Sequence, residues 1–231
     1  MKDFPITISI TAGDSIRLME YKCSFSTLPH DMERILRMSH QESHLLHDVV
    51  SQPKQYEGLV DYAISVGKSY IDKPDTNGNI PLHLAYESNN FIKKLLLAGA
   101  DPTICNAEGQ TILHLYCSRK DANVTREIIT LIVKSAIKKL EENKENDYNT
   151  PGNTVVKNMN FLGDSIYSLY VDEIYPNLQE DEKKKIVLKT AEFIYRKDRQ
   201  EKTAYYYASQ NKKSYILYLL GKYNLLNRPA G

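Results

Sequence analysis

Histidine and cysteine are the residue types here best suited to chemistry, and the chain has six of one and three of the other. His40, His44 and His47 stand at i, i+4 and i+7, a spacing that gathers side chains near one face of a helix. Zinc held on a single helix uses such a spacing, with a Glu or a further ligand alongside. Against a metal, Ser43-His44 also reads as the start of a helix rather than its interior. Cys23, Cys105 and Cys117 make no C-x-x-C pair and no local Cys/His signature. A cysteine nucleophile needs a base and an oxyanion site, and the sequence nominates neither. G-x-S-x-G, H-E-x-x-H and Walker-type loops do not occur. No catalytic residue, metal or cofactor is expected.

The charged residues give a similar answer. Glu141-Glu142 and Glu180-Asp181-Glu182 lie in polar stretches and read as solvated surface. Lys134, Lys138, Lys139, Lys144 and Lys183 to Lys185 are candidates for a phosphate-binding patch. Glu141, Glu142, Glu145, Glu180 and Asp181 interrupt them and cancel much of the field. Thirty Lys and Arg against 29 Asp and Glu leave a formal charge of +1, without the basic excess usual for a nucleic-acid binder. Two alternatives stay in view. One is a metal- or Cys/His-dependent enzyme built on His40, His44, His47 or Cys23, which metal analysis decides. The other is nucleic-acid or anionic-surface binding through the Lys-rich insertion, which salt dependence decides. The 17 tyrosines, with no Trp, suit recognition surfaces, although Tyr205, Tyr206 and Tyr207 span both core and surface positions of one helix.

A chain of 231 residues can bury a substantial core, and 42% hydrophobic with 26% charged residues is an ordinary globular balance. No apolar run approaches the roughly 18 residues of a membrane span. The start, Phe4-Pro5-Ile6-Thr7-Ile8, alternates and is no signal-peptide core. An odd cysteine count points to a reducing cytosol, and a cytoplasmic monomer is expected.

Self-similarity organises the rest. Asp75-Thr76-Asn77-Gly78-Asn79-Ile80-Pro81-Leu82-His83-Leu84-Ala85 lines up with Asn106-Ala107-Glu108-Gly109-Gln110-Thr111-Ile112-Leu113-His114-Leu115-Tyr116, the histidines 31 residues apart. Between them runs Phe91 to Pro102, with Leu95-Leu96-Leu97 and Gly99-Ala100-Asp101. Gly78 permits the positive φ of a tight turn, and Pro81 fits a first helical turn. Gly99 stops a second helix and Pro102 prevents its continuation. Each unit is thus a turn plus two short antiparallel helices, which must stack on neighbours to bury its apolar face.

These motifs resemble the ankyrin repeat family, whose unit reads D-x-x-G-x-T-P-L-H-x-A and then a helix ending L-L-L-x-x-G-A-D. The first unit is about two residues short of the usual 33, near Asn89-Asn90. Degenerate copies extend the resemblance over roughly residues 38 to 225 and make about five units. One precedes, with His47 at the histidine position and a helix from Tyr56 to Val66 ended by Gly67. Two follow. The fourth takes Gly163 to Leu169 and a helix Glu182 to Tyr195, with Asn177 to Lys185 as its inter-helix loop. The fifth takes Asp198 to Ala208 and a helix Lys212 to Gly221. Between units three and four an insertion of about twenty residues covers 138–160, after a long helix Ile128 to Leu140. Residues 1–37 fall outside the pattern and read as a cap, with a β-hairpin in 4–25 turning at Thr11 to Asp14 and a helix Met32 to Met38.

The fold expected is therefore all-α, an ankyrin-repeat solenoid over 38–231 with a small hairpin cap. The resemblance implies that His83 and His114 link adjacent turns, that Cys117 is core, and that function is protein–protein interaction without catalysis. Its concave surface is made of turn tips and first helices. By register the partner-binding positions are Thr76, Asn77 and Asn79; Ala107, Glu108 and Gln110; Glu87, Ser88, Ser118 and Arg119; and Arg199, Gln200 and Lys202. The partner is another protein, met as adaptor or inhibitor. A composition rich in Lys, Asn, Ile and Tyr suits an AT-rich genome and a bacterial effector delivered into a host cell.

Overall fold

The computed structural model describes residues 4–12, 15–23, 42–120, 124–142, 166–213 and 216. The chain parts into two compact units, Met1–Tyr70 and Ile71–Gly231, where the sequence reading placed its boundary at 37/38. Among the described residues it is mostly helical, with one two-stranded sheet.

In the first unit, β1 (Phe4–Ala12) pairs antiparallel with β2 (Ser15–Cys23), Phe4 facing Cys23 and Ala12 facing Ser15. The expected helix 32–38 lies outside the described residues. Three helices follow: α1 (Glu42–Ser51), the single turn α2 (Pro53–Tyr56), and α3 (Val60–Val66), with a 3₁₀ turn Glu57–Leu59 before α3. The helix expected as one piece over Tyr56 to Val66 is thus broken into a 3₁₀ turn and α3. Leu45, Leu46, Val49 and Val50 recur at helical spacing and are buried, as are Val60 and Ala63 of α3. A Cβ on Gly67 would fall 2.8 Å from the Ala63 carbonyl, so α3 ends on the one residue that fits. The preceding copy is corrected here. His47 lies in the middle of α1, whereas His83 and His114 are each the third residue of a helix.

The second unit begins its helices with α4 (Pro81–Leu84), which tightens into a 3₁₀ turn Ala85–Glu87, and α5 (Asn89–Leu97). Ser88 caps α5, its Oγ accepting the Phe91 N–H at 3.3 Å. Asn89 and Asn90 are therefore helical, and the shortening of this unit is taken up by the 3₁₀ turn before them. Then come α6 (Ile112–Ser118), α7 (Arg126–Glu142), α8 (Ile166–Ile174), α9 (Glu180–Ile194) and α10 (Ala204–Gln210). Glu180, Asp181 and Glu182 form the first turn of α9, where the helix dipole favours anions, so the loop expected over 177–185 is mostly helix.

Packing separates these helices into two sets. α6 lies against α10, while α5, α7 and α9 pack in succession and α8 contacts α7 and α9. Phe91, Ile92 and Leu95 of α5, Ile129 and Ile132 of α7, and Phe193 and Ile194 of α9 are at most 2% exposed. Each such side chain contributes roughly 1.5–3 kcal/mol of burial.

Candidate functional site

Three turns share one internal wiring. Oδ1 of Asp75 accepts the N–H groups of Asn77 and Asn79, both at 2.8 Å. Asn106 does the same for Glu108 and Gln110 at 3.0 and 2.9 Å, and Asp198 for Gln200 and Lys202 at 2.9 and 3.0 Å. Each turn closes with a backbone bond, Asp75 to Asn79, Asn106 to Gln110, and Asp198 to Lys202, all at 2.9 Å from N–H to carbonyl. The fourth position needs positive φ, which Gly78 and Gly109 adopt at 73° and 74° and Glu201 at 60°.

The turns also bond to one another in one register. Ala107 N–H donates to Asn77 O at 3.2 Å, and Arg199 N–H to Glu108 O at 2.9 Å. The Asn106 amide donates to Asn79 Oδ1 at 3.0 Å, and the Gln110 amide to Asp198 Oδ2 at 3.3 Å. His83 accepts Ile80 N–H on Nδ1 and donates from Nε2 to Ile104 O, both at 3.1 Å. His114 accepts Thr111 N–H at 3.2 Å and donates to Arg196 O at 2.9 Å. A carbonyl only accepts, so both rings carry their proton on Nε2. Burial pushes His83 down to about 4 and lowers His114 as well.

This ladder corrects the fourth unit. The turn at Asp198 rests directly on the turn at Asn106, so no unit stands between them. His114 reaches a carbonyl 82 residues on, where His83 reaches one only 21 residues on. The extra residues include α8 and α9, which pack on α7 instead of supplying a turn and helix to the ladder. Lys134 Nζ pairs with Glu173 at 2.6 Å and lies 5.1 Å from the Tyr170 ring centre, holding α7 to α8.

Other residues join the third turn to the second. Tyr207 donates its hydroxyl to Asp198 Oδ2 at 2.6 Å. Burial opposes ionisation of Asp198, but the bonds from Tyr207, Lys202 N, Gln110 and Gln200 N outweigh it and hold the carboxyl below its usual range. Burial and this carboxylate push Tyr207 up to about 12. Arg196 donates to Thr103 O at 3.2 Å and contacts Cys105 Sγ at 3.0 Å. The Asn211 amide donates to the carbonyls of Cys117 and Ser118 at the end of α6. The register reading assigned none of these residues a part in joining the two turns. Of them, Asn211 carries the plainest signal, an amide just past a helix end.

The register positions divide into two groups. Thr76, Asn77, Ala107, Glu108, Arg199 and Gln200 are exposed at the tips, and Glu87 is exposed beside them. Asn79, Gln110 and Lys202 are half-buried within the ladder. Three further positions have side chains that the fold itself uses. Arg119 is 7% exposed and donates to Tyr86 O at 3.2 Å and Asn89 Oδ1 at 3.0 Å. Ser88 is the α5 cap, and Ser118 Oγ donates to Leu115 O at 2.8 Å. Cys117 is fully buried, its thiol pushed up to about 12 by burial, which fits a core residue. Among the described residues no three His, Cys, Asp or Glu gather as metal ligands, and no helix is long and apolar enough to cross a membrane. His40 lies outside the described residues.

The ankyrin repeat family model matches residues 77–107, which runs from the first tip to the second. No curated protein matches the chain. Among solved structures, one chain of the predatory endopeptidase Bd0816 of Bdellovibrio bacteriovorus in complex with immunity protein Bd3460 is similar at 17% identity. That match covers 77% of this chain and 97% of that one with a TM-score of 0.33, too slight a likeness to carry an argument. The matched stretch makes residues 77–107 an ankyrin repeat, and its wiring recurs at the turns that bear Asp75, Asn106 and Asp198.

Proposed function

We propose that the chain is a non-enzymatic protein-interaction module that binds a partner protein through its turn tips. One observation carries the reading. The tips are held by backbone bonds within and between turns and leave Thr76, Asn77, Ala107, Glu108, Arg199 and Gln200 exposed at matching positions, side chains that those backbone bonds do not use. The helix faces at Ser88, Ser118 and Arg119 are withdrawn from this surface, and Glu87 remains. The repeats stack as a solenoid in this reading. The composition adds a finer reading, a bacterial protein delivered to a host cytosol to act on a host protein.

The test is a pull-down with the tagged full chain and with a variant carrying alanine at Asn77, Glu108, Arg199 and Gln200, both shown folded by circular dichroism. The reading expects partners retained by the first and lost by the second. Equal retention would sink it. Fractionation of infected host cells, with the chain found only in the bacterial pellet, would remove the effector reading alone.

A further inference from the structure

At each link of the ladder, the earlier turn offers three groups to the next. These are the carbonyl of Asn77 or Glu108, the side chain of Asn79 or Gln110, and the ring of His83 or His114 at the third helical position. The next turn answers with a backbone N–H, an amide or carboxylate, and a carbonyl. The third turn carries the same three groups: the Gln200 carbonyl, the Lys202 side chain, and the Tyr206 ring as third residue of α10. Among the described residues no further turn answers them. Tyr206 is 40% exposed where His83 and His114 are 1%. Lys202 Nζ turns back onto Gln200 Oε1 at 2.8 Å and lies 5.3 Å from the Tyr206 ring centre.

We propose that this end of the ladder is a docking edge for an acidic turn of a partner protein. An incoming backbone N–H meets the Gln200 carbonyl, an incoming carboxylate meets Lys202, and the Tyr206 hydroxyl donates to an incoming carbonyl. Register sets the charge. The residue facing Asn79 is Asn106 and the residue facing Gln110 is Asp198, so a lysine at this position calls for a carboxylate opposite. Arg199, exposed on the same turn, adds a second cation. The stretch that follows this turn, residues 214–231, contains no Asp or Glu. Tyrosine beside basic groups is a composition that anchors interfaces.

The inference rests on the tip-surface reading above, and the experiment separates the two. A phage-displayed library of random cyclic 12-residue peptides is selected on the full chain. Recovered peptides are then measured against Lys202→Glu, Lys202→Gln, Tyr206→Phe and Asn77→Ala, each with unchanged melting temperature. The expected result is peptides carrying Asp or Glu whose affinity falls at least about tenfold in Lys202→Glu, falls less in Lys202→Gln and Tyr206→Phe, and holds in Asn77→Ala. Selection on Lys202→Glu should instead enrich Lys or Arg. A library yielding no Lys202-dependent acidic binder overturns the docking edge. If its binders depend on Asn77, the tip-surface reading stands without it; if they ignore every tip, both fall. Sedimentation that shows Lys202-dependent self-association overturns the choice of partner, assigning the edge to a second copy.

Discussion

At the residue scale, the two buried histidines tie the ladder to pH. Protonating Nδ1 of His83 would set an N–H against the Ile80 N–H it now accepts. Burial makes the folded state bind this proton more weakly, with its pKa near 4 against 6.5 when unfolded. Stability is full above about pH 6.5 and declines as pH falls toward 4, by on the order of 3 kcal/mol for this one ring. Urea midpoints between pH 7.5 and 4.5 should show the decline, and His83→Gln should flatten it. An unchanged slope in the variant would assign the acid sensitivity elsewhere. Glycine supplies a second residue-scale contrast. A Cβ on Gly78 would lie 2.8 Å from Ala107 N, whereas one on Gly99 meets nothing within 4 Å, although both have positive φ. Gly78→Ala should cost the strain plus a displaced turn, upwards of about 2 kcal/mol, and Gly99→Ala only about 1. In the third turn Glu201 holds the strained position, so Glu201→Gly should raise the melting temperature, a gain of up to about 1 kcal/mol.

At the scale of elements, α9 decides how the inserted residues are regarded. Phe193 and Ile194 are 1% exposed and α9 packs on α7, so α9 completes the core, while Leu169 of α8 is 66% exposed. Phe193→Ala should cost about 3–5 kcal/mol and Leu169→Ala less than about 0.5, read from chemical denaturation. The same elements show what was legible beforehand. The turns at Asp75 and Asn106 were readable because glycine, the Asx residue and the histidine each perform a local task at fixed spacing. The turn at Asp198 was also readable, from Asp198, Thr203 and Ala208. What local pattern did not carry was its neighbour in space. Gly163 to Leu169 and Glu182 to Tyr195 look like a turn and two helices, and only the bonds from Arg199 to Glu108 and His114 to Arg196 show that they stand outside the ladder. The bonds that Arg119, Ser88 and Ser118 make within the fold were not legible, for a related reason. Register says which positions can face outward, but a long or polar side chain can turn back and bond the chain, as Arg119 does to Tyr86 and Asn89.

At the scale of the whole molecule, the question is which class of partner the charge distribution favours. The lysines that compose the basic stretch are largely committed. Lys134 pairs with Glu173 at 2.6 Å, Lys139 with Glu142 at 3.2 Å, Lys183 with Asp172 at 2.9 Å and Lys184 with Asp181 at 3.6 Å. The Asp172 carboxylate raises the Lys183 pKa, so that ion pair persists into alkaline solution. Such exposed pairs stabilise little, but each offsets a cation that a phosphate backbone would otherwise recruit. With a net charge of +1 overall, few counterions would be released on meeting a polyanion. Binding through mixed amide and charged tips should accordingly lose less than about tenfold between 50 and 200 mM salt, since Arg199, Lys202 and Glu108 are few and of mixed sign. A nucleic-acid surface making six or more phosphate contacts would lose about a thousandfold or more over the same range. Fluorescence anisotropy with a 20-base-pair duplex and with a captured protein partner, each across that salt range, distinguishes the two. Tight duplex binding with a steep slope would move the functional surface from the tips to the Lys-rich face of α7 and α9.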